Sequence, residues 1–229
     1  MLMLLWTVSG VTMLYVGYPR LLAHERLASQ PVLDASACCV PVEAALAHAR
    51  DAAAVRAIRL QSIAGVPHYR LEEDDGRFVV VDARDGRPAP PVDTARALAS
   101  ARAFRPGAQA HAEGMTDDDR WTHGRQLDPH RPMFQVQMDD AERTRLYVSS
   151  TTGEVVLDAP QAQRRWNIVG AWLHWLYMFR DGSRDPVWTW LLVALSTLAT
   201  VSAVTGAVAG VWRWRFRGRY KSGAKTPYR

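Results

Sequence analysis

Residues 187–212 are a run of 26 residues without one charge. As a helix rising about 1.5 Å per residue, that run is roughly 39 Å long, enough to cross the ~30 Å hydrocarbon core of a bilayer with some tilt. Residues 1–18 form a second uncharged run. It is about 27 Å long as a helix, at the lower limit for spanning. The residues between are charged and mixed. The pattern predicts a membrane helix, a large soluble insert and a second membrane helix.

A formal net charge of +5 invites a nucleic-acid reading, but its distribution argues against one. The tail over residues 213–229 holds seven Lys/Arg and no acid. Removing those seven from the 28 Lys/Arg leaves 21, against 23 Asp/Glu, so the body is slightly acidic. A basic cluster beside a membrane helix is what the positive-inside rule expects of a cytoplasmic flank, and it suits contact with anionic lipid. With the tail in the cytoplasm, 187–212 runs from outside to inside and residues 19–186 lie mainly in the periplasm. The first run has no basic leader and no small-x-small cleavage motif before Pro19, so it reads as an uncleaved helix. Both termini are then cytoplasmic, in a bacterial inner membrane.

The insert contains a repeat. "VPHYRLEEDDGRFVVVDARDGRP" (66–88) and "RPMFQVQMDDAERTRLYVSSTTGEV" (131–155) share an order of features. Each opens with Pro and then an aromatic, alternates into an acidic turn, continues as an apolar strand and ends in a Gly turn. Alternation between polar turns marks half-buried antiparallel hairpins. An Ala-rich helical run precedes each, at 42–48 and 93–104, the second with Asp93 as N-cap. The expected fold is an α+β membrane protein with two helix-plus-antiparallel-sheet modules, at 42–91 and 92–160. A linker at 19–41 precedes them, and residues 105–120 read as a flexible acidic loop. An interfacial amphipathic helix at 164–180 leads to the spanning helix at 187–212 and the tail at 213–229.

These segments resemble a known family. "HRPMFQVQMDDAERTRLYVSSTTGEVV" followed by "WNIVGAWLHWLY" is similar to the PepSY-associated transmembrane (PepSY-TM) family, in which small α+β PepSY modules hang between membrane helices. "SGVTMLYVGYP" with "ERLASQP" resembles the end of that family's first helix and the segment after it. "TGAVAGVWRWR" resembles the end of its second helix. The likeness covers most of the chain and is densest over residues 121–215. Some members resemble siderophore-linked inner-membrane reductases that carry haem on membrane histidines. Typical members open the first helix with a His-Arg-Trp-like motif and continue past the second into a Trp-His-His-like motif. Both are absent here, so the resemblance implies a chain truncated at both ends, through a late start, a fragment or a split gene.

His174 is the sharpest candidate residue. It sits in "WNIVGAWLHWLYMFR" (166–180), between Arg164-Arg165 and Arg180, in a run whose Trp and Tyr suit the headgroup level. On a helix, Ala171, His174 and Met178 share one face. An ionisable group near lipid needs a partner or a use. One reading has the ring reach the polar interface. The other, implied by the resemblance, makes His174 an axial ligand of haem b iron. The second ligand would come from missing His-bearing helices, another subunit, or a Met such as Met178. Gly206 and Gly210 form a small-xxx-small pair for close helix packing, with Ser9 and Gly10 as a possible partner surface. Arg164 and Arg165 read as headgroup anchors.

Other polar groups read more plainly. The acids at 72–75 and 117–119 fall in turns and read as solvated. The remaining histidines, His123 and His130 among them, read as surface or hydrogen-bonding residues. Cys38 and Cys39 are adjacent. A vicinal disulfide is strained and two cysteines alone cannot complete a four-ligand zinc site, so they read as loop thiols, with a soft-metal or redox pair as the alternative. No nucleophile elbow, phosphate loop, dinucleotide fingerprint or HExxH occurs.

Three functions remain open. The first is a haem-dependent transmembrane electron-transfer component for periplasmic iron–siderophore reduction. The second is a non-catalytic, membrane-tethered module that binds or restrains a periplasmic partner. The third is a truncated remnant. The implied partners are the lipid bilayer, further His-bearing helices or a second subunit, and an iron–siderophore system, with no nucleic acid.

Overall fold

The computed structural model describes residues 2–33, 38–180 and 185–214. It is an α+β chain with two antiparallel sheets and one long apolar helix. The chain divides into two compact units, the first ending at Met178 and the second beginning at Phe179.

In the first unit, α1 (Leu2–Tyr15) and α2 (Ala23–Ser29) precede the first module. That module has α3 (Val42–Leu46) against a sheet of β1 (Val55–Ile63), β2 (Val66–Glu73) and β3 (Phe78–Asp82), in the order β1-β2-β3. Ala64 and Gly65, both at positive φ, close the β1–β2 hairpin in two residues. Turns of that hand match the twist of the flanking strands. Gly76 at φ +82° serves the β2–β3 turn. The period of two then sorts the side chains. Tyr69, Leu71 and Val81 join Ala45 of α3 in an apolar core. Across the strands Arg59 pairs with Arg70, Gln61 with His68, and Glu72 with Phe78, so the opposite face is mainly polar.

The second module has α4 (Thr94–Phe104) and the sheet β4 (Ala110–Thr116), β5 (Met133–Met138), β6 (Arg145–Ser149) and β7 (Val155–Ala159), in sequence order. Asp93 caps α4 as expected, its carboxylate accepting the Arg96 N–H at 2.8 Å. Ala97, Ala101 and Phe104 follow at helical spacing and pack on Phe134, Val136 and Val148. The other face of the sheet is covered too: Trp121 and Leu127 pack on Met133, Tyr147 and Leu157. A sheet covered on both faces explains the unalternated "VVL" of β7.

Several expectations are corrected. The acidic loop at 105–120 contains β4, an edge strand paired with β5. Glu72 and Glu73 lie in β2, and only Asp74 and Asp75 occupy the turn. The segment 164–180 is not one helix. α5 (Gln161–Asn167) runs into a π-helical turn (Ile168–Trp172) in which Gly170 leaves helical dihedrals. Leu176 then takes φ +53° before a 3-10 turn at Tyr177–Phe179. No continuous helix therefore carries both His174 and Met178. Arg164 caps the carbonyls of Ala159 and Arg143, and so serves the second module. Cys38 and Cys39 are bonded to each other as a vicinal disulfide.

The described part of the second unit is chiefly α6 (Pro186–Arg213), 28 residues or about 42 Å. Asp185 caps it, accepting the Trp188 N–H at 3.1 Å, and Pro186 occupies the first turn. It is the one described helix long and apolar enough to cross a membrane. α1 has 14 residues, about 21 Å, short of the ~30 Å core, so a pair of spanning helices is not shown. The tail beyond Trp214 lies outside the described residues.

Candidate functional site

His174 sits against α1. Ser9 Oγ lies 2.8 Å from the Leu5 carbonyl, the usual bond of a serine inside a helix, and 3.1 Å from His174 Nδ1. The Oγ–Nδ1 contact can form a hydrogen bond in either imidazole tautomer, since a hydroxyl both donates and accepts. Small residues permit the approach. A Cβ on Gly10 would stand 3.4 Å from His174 Cε1, and one on Gly170 would stand 3.4 Å from side-chain carbons of Thr12 and Met13. Trp6 and Trp175 flank the imidazole, with centroids 6.4 and 5.5 Å away. Asn167 is fully buried and donates to the Gly17 carbonyl at 2.9 Å, tying the exit of α1 to α5. The far side of α1 (Leu4, Val8, Val11, Tyr15) is exposed, as are Trp166 and Val169. An apolar surface of that kind fits a lipid or protein environment.

Gly206 and Gly210 of α6 have nothing within 4 Å of a Cβ built on them, among the described residues. Ser9 and Gly10 of α1 meet the His174 ring. Thr205 bonds back to its own helix at Val201 O, 2.8 Å away.

A second polar cluster joins α1 to the second module. Tyr18 OH donates to the Arg120 carbonyl at 2.9 Å and accepts the His123 N–H at 3.2 Å. His123 Nδ1 lies 2.9 Å from Asp118 Oδ2, and the Tyr177 ring meets His123 edge-on. Burial pushes the Asp118 carboxyl up, but the His123 hydrogen bond and charge, with Thr122 and Arg131, outweigh it and hold the group below its ordinary value. Asp119 accepts from Tyr147 OH at 2.6 Å and Gln135 at 2.7 Å. These acids are structural ties, not the solvated turn residues expected from the sequence.

A charged seam lies where the polar face of the first sheet meets the second module and α2. A cavity of about 400 Å³ opens there. Arg70, only 5 % exposed, donates to Glu154 Oε1 at 2.8 Å. Glu154, 3 % exposed, also accepts from Arg26 at 3.3 Å and from Gln61. Arg70 Nη2 is 3.8 Å from Glu72, while its buried Nε has no partner. The Arg70 guanidinium carbon stands 4.8 Å above the Phe78 ring. That ring stacks on His130 at 5.0 Å and 16°. Burial pushes the His130 imidazole down to about 4, with nearby Arg70 and Arg26 adding to the fall and Glu154 opposing it. The ring is therefore neutral near pH 7, with Nδ1 3.0 Å from Ser149 Oγ. Arg20 and Arg59 complete the cationic wall, and Leu21, Leu127, Val156 and Leu157 the apolar one.

A further cavity of about 390 Å³ lies along Asp82, Arg84, Pro88 and Arg96. Its main charges are paired locally, Arg84 with Asp82 at 2.6 Å. Among the described residues, no three His, Cys, Asp or Glu gather in a metal-holding group. His174 is one imidazole donor without a second His beside it.

The Arg70–Glu154 cavity was not visible in the sequence. The available signal was the polar row of "VPHYRLEE" (His68, Arg70, Glu72), which alternation assigns to one face. Alternation does not say whether that face is covered. No family model matches the chain, and no curated protein or solved structure matches it either.

Proposed function

We propose that the chain is a membrane-tethered, two-module binding protein of the PepSY-associated type, with the cavity beside Arg70 and Glu154 as its ligand site. The carrying observation is the ion-paired seam around that cavity. A buried ion pair is a weak device for stability, because desolvation offsets most of the attraction. Here the pair borders a void of ligand size, which suits an incoming ligand. α6 is the anchor, and the exposed faces of α1 and the π-helical turn rest on or in the bilayer. The basic tail orients the chain with the modules in the periplasm of a bacterial inner membrane.

The test uses the full chain in lipid nanodiscs and a panel of small aromatic and aliphatic probes, charged and neutral. Some probes should raise Tm, and Gln126→Trp, which fills the cavity rim from an exposed position, should abolish the rise. No stabilisation by any probe would overturn the reading.

One observation favours a second reading, a haem-dependent electron-transfer component serving iron–siderophore reduction. Ser9 Oγ lies 3.1 Å from His174 Nδ1, and a hydrogen-bond partner on one ring nitrogen orients the other toward a metal. His174 would supply one imidazole nitrogen to hold such a group. Haem, when bound, would supply one-electron transfer, while this chain would orient the imidazole through Ser9 and shield it with Trp6 and Trp175. The other axial group would come from further helices or a second subunit. A reduced-minus-oxidised spectrum of membranes from haem-replete cells checks this. Haem b bands lost in His174→Ala support it, and their absence from wild type excludes it.

A further inference from the structure

We propose that the cavity between the first sheet and the second module takes a small monoanion, a carboxylate carried on an apolar body. The inference rests on the binding reading above and adds the chemistry of the ligand. Three observations converge on it.

The first is charge. Arg20, Arg26, Arg59 and Arg70 line the cavity against Glu72 and Glu154. The excess of cations is two, with His130 neutral at physiological pH because burial pushes its proton affinity down. That excess favours an anion over a neutral ligand. A doubly charged phosphate would stand near two carboxylates.

The second is the unmet donor. The guanidinium of Arg70 is almost fully buried, and two of its nitrogens are directed to Glu154 and Glu72. Its Nη2 stands 3.8 Å from Glu72, beyond hydrogen-bond distance, and its Nε is fully buried without a partner, so the Nη2 N–H is the donor left for a ligand. Arg105 Nε, Arg131 Nη1 and Arg145 Nε are also buried without hydrogen-bond partners, but of these arginines only Arg70 lines the cavity, where a planar carboxylate is the acceptor that matches a guanidinium best.

The third is the rest of the wall. Leu21, Leu127, Val156 and Leu157 give the anion's body an apolar surface. A volume of about 400 Å³ suits a small molecule or the last residues of a peptide. Arg20 and Arg59 are exposed, free to fold over a bound carboxylate from the rim.

The experiment is calorimetric titration of the full chain in nanodiscs. The probes are octanoate, octanamide, inorganic phosphate, and a Leu-Leu-Leu peptide with a free or an amidated C-terminus. Octanoate should bind at least tenfold more tightly than octanamide, and phosphate more weakly than octanoate. If the natural source is a peptide end, the free-acid peptide will exceed octanoate. If it is a free acid, octanoate will exceed the peptide. Arg70→Lys keeps the charge but removes Nη2, and should weaken octanoate binding about tenfold. Because that buried change can disturb folding, Arg20→Gln/Arg59→Gln on the exposed rim serves as the second variant, with a similar loss expected. Octanamide binding as tightly as octanoate, or a rim variant binding octanoate as wild type does, overturns the carboxylate while leaving the cavity a binding site. Failure of every probe, neutral ones included, overturns the binding reading itself.

Discussion

The His174 cluster and the Arg70–Glu154 cavity both bury polar groups, and they do so in opposite ways. His174 meets a neutral serine, and small residues at Gly10 and Gly170 bring the backbones close enough to leave little empty space. Arg70 meets a carboxylate, but the surrounding wall stays open over about 400 Å³ and one N–H is unmet. The first arrangement is what helix packing needs, and it explains a histidine in an apolar run without any ligand. The second is poorly explained by packing alone. Both regions hold unmet polar atoms, Trp6 Nε1 and Asn167 Oδ1 around α1 and Arg70 Nε in the charged module, and what the charged module adds is the cavity.

The contrast breaks most visibly at the ion pair. Arg70→Ala should cost about 3–5 kcal/mol in denaturant unfolding, because Glu154 stays buried without its main partner. The joint change Arg70→Met/Glu154→Leu should cost far less, since no charge is then stranded. If the joint change costs as much as the single one, the pair is a structural staple and the contrast fails. On the other side, Gly170→Val should cost up to about 3 kcal/mol by driving a branched side chain into Thr12 and Met13. Weaker protection of α1 in hydrogen exchange would register the separation.

The next effect sharpens the electrostatic side. The unfolded chain protonates His130 as pH falls through about 6.5, the folded chain only near 4. Stability from this group is therefore complete above the unfolded value and is lost as pH falls across that window. Between pH 7 and pH 5 wild type should lose about 2 kcal/mol more than His130→Gln. His68 is shifted in the same direction by burial and stays in both proteins, so the difference isolates His130. The smallest effect tests the serine. Ser9→Ala should cost about 1 kcal/mol, the worth of one ordinary hydrogen bond, and His174→Ala in the same background should add little from that bond. A much larger loss from His174→Ala in haem-replete membranes would point back to a ligand role.

Local signals carried much of the fold. Asp93 before an Ala-rich amphipathic run identified α4 and its cap, and the repeated Pro-aromatic-acidic-turn order identified β2–β3 and β5–β6. β4 was hidden because "AHAEGMT" is an edge strand, exposed over most of its length, and carries little apolar alternation. A single helix over 164–180 was expected because the apolar pattern passes through Gly170. The break there accompanies close contact with α1, a partner far away in sequence. Of the candidate site, His174 was legible and the cavity was not. Arg70 and Glu154 are 84 positions apart, and neither carries a local motif.

The sequence by itself determined an apolar helix of membrane length, two modules of α+β character, and half-buried hairpins in the two repeated segments. All three rest on hydrophobic periodicity and capping chemistry, which act over a few residues. Only the tertiary structure decided that the polar face of the first sheet is covered, that Glu154 meets Arg70 beside a cavity, and that His174 meets Ser9 across 165 positions. Periodicity assigns a side chain to a face. What covers that face depends on surfaces contributed by distant segments, and shape and charge select among them only once the chain has folded.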